Sequence, residues 1–265
     1  MTDLSHPNHP RSLAGRHALV TGANGGIGEA ICQALARHGA SVTLLGRRPV
    51  ELENVRARLA GSGHGVAVAD VADHAAVARA IAEAVRARGA VGVLVCNAGA
   101  ASSAPLVRTE PAAWQSMLDV NLTGTYHCIS AVLPGMIEAG WGRIVNVAST
   151  AGLRGYAYVA AYCAAKHGVI GLTRALALEV AQTGVTVNAV CPGYTETPLL
   201  KGAIDNIVAK TGRSSIQAKT VLAAHNPQGR LVMPQEVAHA VEWLCLPGSE
   251  AVHGQSIAIA GGEVM

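Results

Sequence analysis

The chain has 265 residues, 50% of them hydrophobic and 14% charged, and its formal net charge is +3. A chain of this length and apolar content can bury a sizeable core in one large domain. The small net charge, the 3% aromatic content and the lack of a lysine-rich run argue against nucleic-acid binding. The sequence also lacks a long uncharged apolar stretch and a signal-peptide pattern, so we expect neither a membrane span nor secretion.

Residues 1–12 are polar and carry two closely spaced prolines, Pro7 and Pro10, which disfavour a helix. We predict that this segment is a flexible N-terminal arm and that residues 13–265 form a single domain. The six cysteines are scattered, with no Cys-x-x-Cys pair and no metal-type cluster of histidine and cysteine. This pattern is typical of reduced, buried thiols, so we expect a cytoplasmic protein without a metal site.

Short apolar runs rich in β-branched residues alternate with helical patterns along the whole chain. The runs lie at residues 18–20, 42–45, 66–69, 93–95, 144–147, 185–187 and 256–259. Runs of this kind favour parallel strands that helices cover on both faces. Since no linker or repeat interrupts the alternation, the sequence predicts one doubly wound, Rossmann-type α/β domain with a seven-stranded parallel sheet.

A glycine-rich segment, Thr21–Gly28, follows the first predicted strand and precedes an amphipathic helical pattern. Backbone N–H groups and the positive end of a helix dipole can bind a pyrophosphate at such a junction. The glycine spacing, G-x-x-x-G-x-G, differs from the general G-x-G-x-x-G fingerprint. The interpretation as a nucleotide-binding segment therefore rests on its location between a strand and a helix. We predict a dinucleotide-binding turn. Its predicted contact residues are Gly22, Asn24, Gly26, Ile27 and Gly28.

The end of the second predicted strand bears on the choice of cofactor. Arg47 and Arg48 follow Gly46 there, and the first acidic residue after them is Glu51. A guanidinium pairs well with the 2′-phosphate of NADP, whereas NAD binding usually uses a carboxylate at this point. The sequence therefore favours NADP(H), with Arg47 as the phosphate ligand, and NAD(H) is the alternative.

Tyr162 and Lys166 lie four residues apart, which places both on one face of a helix. A neighbouring ammonium favours the phenolate, so we expect Lys166 to lower the pKa of Tyr162 towards working pH. Tyr162 would then exchange a proton with a carbonyl or alcohol oxygen, and Ser149 would hydrogen-bond the same oxygen. Ser149 could also simply cap a turn. Together with the glycine-rich turn, this set predicts hydride transfer between a nicotinamide and a carbonyl or alcohol.

These motifs, in this order, resemble the single-domain branch of the short-chain dehydrogenase/reductase family. The likeness runs from Leu13 to the C-terminus. Its further motifs are Asp70-Val71, Cys96-Asn97-Ala98-Gly99, Asn121 and Pro192-Gly193. The chain departs from the family pattern at Cys96, where asparagine is usual, and at Thr195, where isoleucine or valine is usual. The resemblance implies a homo-oligomer, usually a tetramer.

The resemblance also implies roles in cofactor binding. Asp70 and Val71 would contact the adenine, while Asn97 and Gly99 would line the floor of the site. Tyr162 and Lys166 would also contact the cofactor, with Lys166 hydrogen-bonding the nicotinamide ribose. The implied residues around the nicotinamide are Pro192, Gly193, Thr195 through its backbone and Thr197 through its hydroxyl.

Asn121 completes the catalytic set implied by the resemblance, together with Ser149, Tyr162 and Lys166. In this family it would hold a water molecule that links Lys166 to solvent. The alternative is that its amide satisfies buried backbone groups.

Residues 198–230 correspond to the substrate lid of this family and resemble the lids of 3-oxoacyl thioester and 3-hydroxyacid members. The predicted substrate is therefore a small-molecule ketone, with a 3-oxoacyl thioester favoured. One hypothesis is that some of the lid cations bind the phosphates of coenzyme A or of an acyl-carrier group. The alternative is that the lid is a solvated loop without such contacts. These cations are Lys201, Lys210, Arg213, Lys219 and Arg230. The alternatives are an NAD-dependent 3-hydroxyacyl or secondary-alcohol dehydrogenase and, from another class, a non-catalytic dinucleotide sensor.

Overall fold

Seven strands form one parallel sheet in the structure, a computed structural model that describes residues 13–265. The arm predicted for residues 1–12 lies outside the described residues. The strands are β1 (His17–Thr21), β2 (Ser41–Gly46), β3 (Gly65–Val68), β4 (Val91–Cys96), β5 (Gly142–Val147), β6 (Val185–Pro192) and β7 (Ser256–Ile259). Each predicted apolar run coincides with one of these strands, although the run at 66–69 extends one residue beyond β3, and this confirms the predicted sheet.

Helices follow most of the strands. They are α1 (Gly26–Arg37), α2 (Pro49–Arg56), α3 (His74–Arg88), α4 (Pro111–Leu118), α5 (Gly124–Glu138), α6 (Ala160–Val180), α7 (Pro198–Thr211), α8 (Ser215–Ala223) and α9 (Pro234–Cys245). Short 3₁₀ turns lie at Leu106–Arg108 and Thr150–Gly152, and a π-helical turn, Asp119–Thr123, joins α4 to α5. Local signals explain several helix starts, since Asp73 caps α3 and Ser214 forms a capping box at α8.

The order of the strands positions the functional segments. It runs β3-β2-β1-β4-β5-β6-β7, with every neighbouring pair parallel. The direction of winding reverses between β1 and β4, and ligands of open α/β sheets bind at the carboxyl ends of the strands beside such a point. The glycine-rich turn follows β1 and Asn97 follows β4. The fold therefore brings both segments to one crevice.

Two apolar layers, one on each face of the sheet, form most of the core. In β4, Val93 and Val95 belong to one layer, while Leu94 and Cys96 belong to the other. Successive side chains of a strand point to opposite faces, so a strand covered on both sides needs an uninterrupted apolar run. This alternation explains why the runs in the sequence are continuous.

The chain after β6 forms α7 and α8, which occupy most of the predicted lid. Leu200, Leu222 and Leu231 make a small apolar cluster of their own in this region. None of the helices within residues 13–265 combines the length and the apolar character needed to cross a membrane. The same residues contain no group of three or more His, Cys, Asp or Glu side chains that could hold a metal ion.

Candidate active site

The glycine-rich turn packs so closely against neighbouring backbone that a residue with a Cβ would not fit at Gly22 or Gly28. Gly22 has a φ of +63°, and a Cβ placed on it would lie 2.8 Å from the Cα of Ala98. A Cβ on Gly28 would lie 2.3 Å from the carbonyl oxygen of Gly22. The N-cap of α1 is Gly25, which has no side chain to bind the N–H groups of the first turn. Those N–H groups suit a pyrophosphate, so the turn fits the predicted dinucleotide.

Asn97 anchors this turn to the end of β4. Its Nδ2 donates to the carbonyl oxygens of Thr21 at 3.0 Å and Gly22 at 3.1 Å. In return, Thr21 Oγ1 accepts from the backbone N–H groups of Asn97 and Ala98. The side chain of Asn97 therefore holds the turn in place, while Gly99 stays exposed in the crevice. The role of Thr21 was not predicted, since its only signal in the sequence is a hydroxyl at the end of a buried strand.

The ends of β2 and β3 present charged groups beside the turn. Arg47 Nη1 lies 3.5 Å from Asp70 Oδ2, and both side chains are largely accessible to solvent. An exposed pair of this kind is weak, so Arg47 remains free to bind a phosphate. Val71 is buried against α5. The neighbouring Arg48 instead places its guanidinium against the side-chain amide of Asn24 in the turn and pairs with Glu51 at 3.2 Å. The two arginines are adjacent and identical in the sequence, so their different directions are visible only in the structure.

Asn121 lies in the π-helical turn and is 1% exposed. Its Nδ2 donates to the carbonyl oxygens of Ala100 at 2.9 Å and Met117 at 3.0 Å, and its Oδ1 accepts from Ala100 N. The amide therefore satisfies buried backbone, as the alternative interpretation expected. It also faces the crevice, because a Cβ on Gly99 would lie 2.9 Å from Asn121 Oδ1 and 3.8 Å from Lys166 Nζ. Single π-helical turns are frequent at functional sites.

Tyr162 and Lys166 lie one turn apart on α6, as their spacing predicts. Lys166 Nζ lies 5.6 Å from the centroid of the Tyr162 ring and donates to the carbonyl oxygen of Val147 at 2.9 Å. Lys166 is 4% exposed. This bond ties the ammonium to the carboxyl end of β5, so the sheet fixes its position beside the phenol.

Burial governs the protonation of both groups. It raises the pKa of Tyr162 to about 12, although the Ser149 hydroxyl opposes this rise. Burial also lowers the pKa of Lys166 to about 8, because a charged ammonium loses its hydration there. The expectation that Lys166 brings the pKa of Tyr162 towards working pH is therefore wrong. Removing the phenol from water outweighs the opposing hydrogen bond from Ser149, and Tyr162 remains a proton donor.

Ser149 follows β5 and occupies the N-cap position of the Thr150–Gly152 turn. Its Oγ accepts from Ala151 N at 3.1 Å and lies 3.5 Å from the carbonyl oxygen of Pro192. Ser149 thus caps a turn, as the simpler interpretation expected. The hydroxyl also lies close enough to Tyr162 to affect its pKa. The capping contact uses the hydroxyl as an acceptor, and its proton is directed to the carbonyl oxygen of Pro192 over a long 3.5 Å contact, which a stronger acceptor can displace.

The segment after β6 borders the turn. Thr195 is buried, and its Oγ1 donates to the carbonyl oxygen of Gly193 at 2.9 Å. The Thr197 hydroxyl caps α7, and its methyl group would lie 3.1 Å from a Cβ placed on Gly26. Thr197 therefore lies beside the glycine-rich turn, and Pro192, Gly193 and Thr195 precede Thr197 in the chain. Their roles at the nicotinamide remain predictions.

The lid cations differ in their partners. Lys201 pairs with Asp205, Lys219 with Glu196 and Arg230 with Glu236, at distances of 2.5 to 2.8 Å. The remaining two, Lys210 and Arg213, have no carboxylate within salt-bridge distance in the described part of the chain.

Comparison with known proteins agrees with this geometry. The family profile described as short chain dehydrogenase matches residues 16–207. D-beta-hydroxybutyrate dehydrogenase of Cupriavidus necator is 38% identical over 257 residues, which cover 95% of this chain and 99% of that protein. The 3-oxoacyl-(acyl-carrier-protein) reductase FabG of Vibrio cholerae is 38% identical over 256 residues, which cover 96% of this chain and 99% of that protein.

Solved structures extend the likeness to three dimensions. A variant of actinorhodin polyketide ketoreductase, crystallised with NADPH, superposes with a TM-score of 0.89 at 38% sequence identity. The match covers 94% of this chain and 97% of that chain. The profile match, the near full-length relatives and the shared fold lead to one conclusion: the chain belongs to the short-chain dehydrogenase family.

Proposed function

We propose that the protein is an NADP(H)-dependent oxidoreductase that reduces a ketone to a secondary alcohol, with a 3-oxoacyl thioester as the favoured substrate. The observation that carries the proposal is the meeting of Ser149, Tyr162 and Lys166 beside the glycine-rich turn. The related FabG is named for 3-oxoacyl reduction, and the related ketoreductase structure contains NADPH. Both names support a reductase, and the second supports NADPH as its cofactor.

The three side chains divide the proton chemistry between them. NADPH, when bound, supplies a hydride to the carbonyl carbon. Tyr162 donates its phenolic proton to the carbonyl oxygen, and Ser149 donates a hydrogen bond to the same oxygen. Lys166 stabilises the negative charge that Tyr162 acquires as its proton leaves. The raised pKa of Tyr162 suits this direction, because the group begins the reaction protonated.

Exposed cations in the lid favour a substrate that carries phosphate. Lys210 and Arg213 are exposed near the junction of α7 and α8. Charged side chains of this kind can pair with the phosphates of coenzyme A or of an acyl-carrier group. A solvated lid that makes no such contact is the alternative.

A second candidate is the oxidation of a 3-hydroxyacyl compound or a secondary alcohol with NAD. The likeness to D-beta-hydroxybutyrate dehydrogenase favours it. The same residues would serve, with Tyr162 accepting a proton instead of donating one. A steady-state comparison of both directions separates the two candidates.

The proposal is tested by measuring initial rates with NADPH and NADH against a panel of ketones. The panel contains a 3-oxoacyl-CoA, the corresponding phosphate-free thioester, a cyclic ketone and a simple alcohol for the reverse reaction. We expect the highest kcat/KM with NADPH and the CoA thioester. Failure to turn over any carbonyl or alcohol, with cofactor binding retained, would instead support a sensor.

Arg47→Ala tests the choice of cofactor. Loss of one charge-assisted contact to the 2′-phosphate, worth about 1.5–3 kcal/mol, should reduce the NADPH-to-NADH ratio of kcat/KM by about 10–100-fold. Arg56→Ala is the matched control, since Arg56 pairs with Glu53 on α2. A wild-type protein that prefers NADH, or an unchanged ratio in the variant, contradicts the role of Arg47.

The rate of reduction should also depend on pH through Lys166. Its pKa is lowered to about 8, so the ammonium is charged at neutral pH and loses its proton as the pH rises through about 8. Tyr162, with a pKa of about 12, stays protonated over the same range. We therefore expect kcat/KM for reduction to be level at neutral pH and to fall by about tenfold per pH unit above the pKa of Lys166, about 8.

The control for this profile is Lys166→Arg, because a guanidinium stays charged over the whole range. The kcat/KM that remains in this variant should stay level over the pH range in which the wild-type value falls. A wild-type rate that increases or stays level above the pKa of Lys166 would show that its charge does not assist proton donation.

Two further parts of the proposal concern assembly and location. We infer a homo-oligomer, with a tetramer as the form implied by the family resemblance. Exposed apolar side chains on α5 and α6, Ile137 and Leu178, are available for contacts between subunits. All six cysteines are buried and free, which suits a reducing cytoplasm.

A further inference from the structure

A buried carboxylate lies in the C-terminal tail, outside the predicted catalytic and cofactor-binding sets. Glu263 follows β7, and its side chain is only 2% exposed. A Cβ placed on Gly193 would lie 3.0 Å from Glu263 Oε2, so the carboxylate touches the segment that borders the candidate active site. Buried carboxylates require polar partners, and those of Glu263 come from distant parts of the chain.

The first partner, Tyr156, leads to the catalytic turn. Its hydroxyl lies 2.5 Å from Glu263 Oε1 and 2.8 Å from Thr150 Oγ1. Because an ionised carboxylate only accepts hydrogen bonds, Tyr156 donates to Glu263 and receives a hydrogen bond from Thr150. Burial and the bond to Glu263 raise the pKa of Tyr156 above its ordinary value, so it stays a donor. Thr150 directly follows Ser149, which connects the tail to the catalytic hydroxyl.

The second partner belongs to the end of the lid. His225 follows α8, and its Nδ1 lies 3.8 Å from Glu263 Oε1. The ring of His225 lies 5.3 Å from that of Tyr194 and 6.1 Å from that of Tyr156. Tyr194 directly follows Gly193 and is close enough to Tyr162 to influence its pKa. The carboxylate therefore joins the lid, the catalytic turn and the segment after β6.

We propose that Glu263 is a positioning residue for ketone reduction, which acts through Tyr156 on the Ser149 turn and through His225 on the lid. The inference rests on the proposed function. A displacement of about 1 Å in a reacting group can reduce a rate on the order of 100-fold. Loss of the carboxylate leaves Thr150 Oγ1 as the remaining acceptor beside the half-buried Tyr156 hydroxyl, so that hydroxyl must turn towards Thr150, which favours a shift of the turn.

The test replaces Glu263 in the full-length protein. In Glu263→Ala, kcat/KM for the ketone should fall by about 10–100-fold, through a lower kcat as the Ser149 turn shifts and a higher KM as the lid loses its anchor. The Kd for NADPH, measured by fluorescence titration, should stay within about twofold, since Glu263 lies outside the predicted cofactor contacts. Glu138→Ala, an exposed position at the end of α5, is the matched control.

Conservative and double variants separate positioning from general stability. In Glu263→Gln the amide oxygen still accepts from Tyr156, so most of the activity should return. Tyr156→Phe should reproduce the part of the Glu263→Ala loss that passes through the Ser149 turn, and combining the two should cost no more than Glu263→Ala alone. Additive losses, or a glutamine variant as impaired as the alanine variant, would overturn the proposal. If the alanine variant does not fold, Tyr156→Phe carries the same test.

Hydrogen exchange supplies a readout that does not depend on turnover. In Glu263→Ala, amides of α7, α8 and the Thr150–Gly152 turn should exchange about tenfold faster, while those of α5 should not change. Unchanged lid exchange together with a wild-type KM overturns the role of Glu263. If the wild-type protein does not reduce ketones, the proposed function is wrong instead. The exchange measurement still decides in that case whether Glu263 anchors the lid.

Discussion

Replacing Tyr162 with phenylalanine should reduce kcat/KM for ketone reduction by about 10²–10⁴-fold, the range expected when a positioned general acid is removed. The substitution removes only the hydroxyl, so the partly buried ring keeps its place on α6. Because the hydroxyl does not hold the turn around the pyrophosphate, the Kd for NADPH should change by no more than a few-fold.

The measurement is single-turnover reduction at saturating NADPH, together with a fluorescence titration of the cofactor. Tyr126→Phe is the control, since Tyr126 is 54% exposed on α5. A Tyr162→Phe variant that keeps its rate would remove Tyr162 from the proton transfer. If the wild-type protein binds NADPH but reduces nothing, the sensor interpretation replaces the enzyme.

Gly28→Ala should nearly abolish cofactor binding. The new Cβ would lie 2.3 Å from the carbonyl oxygen of Gly22 and 2.7 Å from Asn97 Nδ2, so the turn must move. Displacing two charge-assisted hydrogen bonds to the pyrophosphate, at about 1.5 kcal/mol each, corresponds to roughly a 100-fold increase in Kd. Overpacking should also lower the free energy of unfolding by about 1–3 kcal/mol.

The matched control is Gly171→Ala, in the exposed part of α6, where an added Cβ meets no atom within 4 Å. There the substitution should raise the free energy of unfolding by about 0.5–1 kcal/mol and leave the Kd for NADPH unchanged. Isothermal titration and chemical denaturation measure the two quantities. Wild-type affinity in Gly28→Ala would mean that the dinucleotide does not use this turn.

Much of this architecture could be predicted because its signals are local. A strand covered on both faces needs a continuous apolar run, so the seven strands are visible in the sequence before any contact is known. The glycine-rich turn and the spacing of Tyr162 and Lys166 are local in the same sense. The parallel order of strands that carries them to one edge of the sheet follows from the alternation of strands and helices.

Other properties arise only from contacts between distant segments. The pKa of Tyr162 increases rather than decreases because the phenol is buried, and burial depends on the whole fold. Asn97 holds the turn through Thr21, 76 residues away. The hydrogen bonds of the Asn97 side-chain amide cannot be deduced from the motif alone, since the same amide could also have faced the cofactor.

The sequence by itself determined the class of fold, the dinucleotide turn and the residues that could exchange a proton with a carbonyl. Only the tertiary structure decided how those groups are protonated, which arginine faces the turn and where the lid is anchored. Glu263 and Tyr156 illustrate the reason, since their hydrogen bond joins residues 107 positions apart. Hydrophobic periodicity encodes which face of an element is buried, but the partner of a buried polar group is set by the packing of the complete chain.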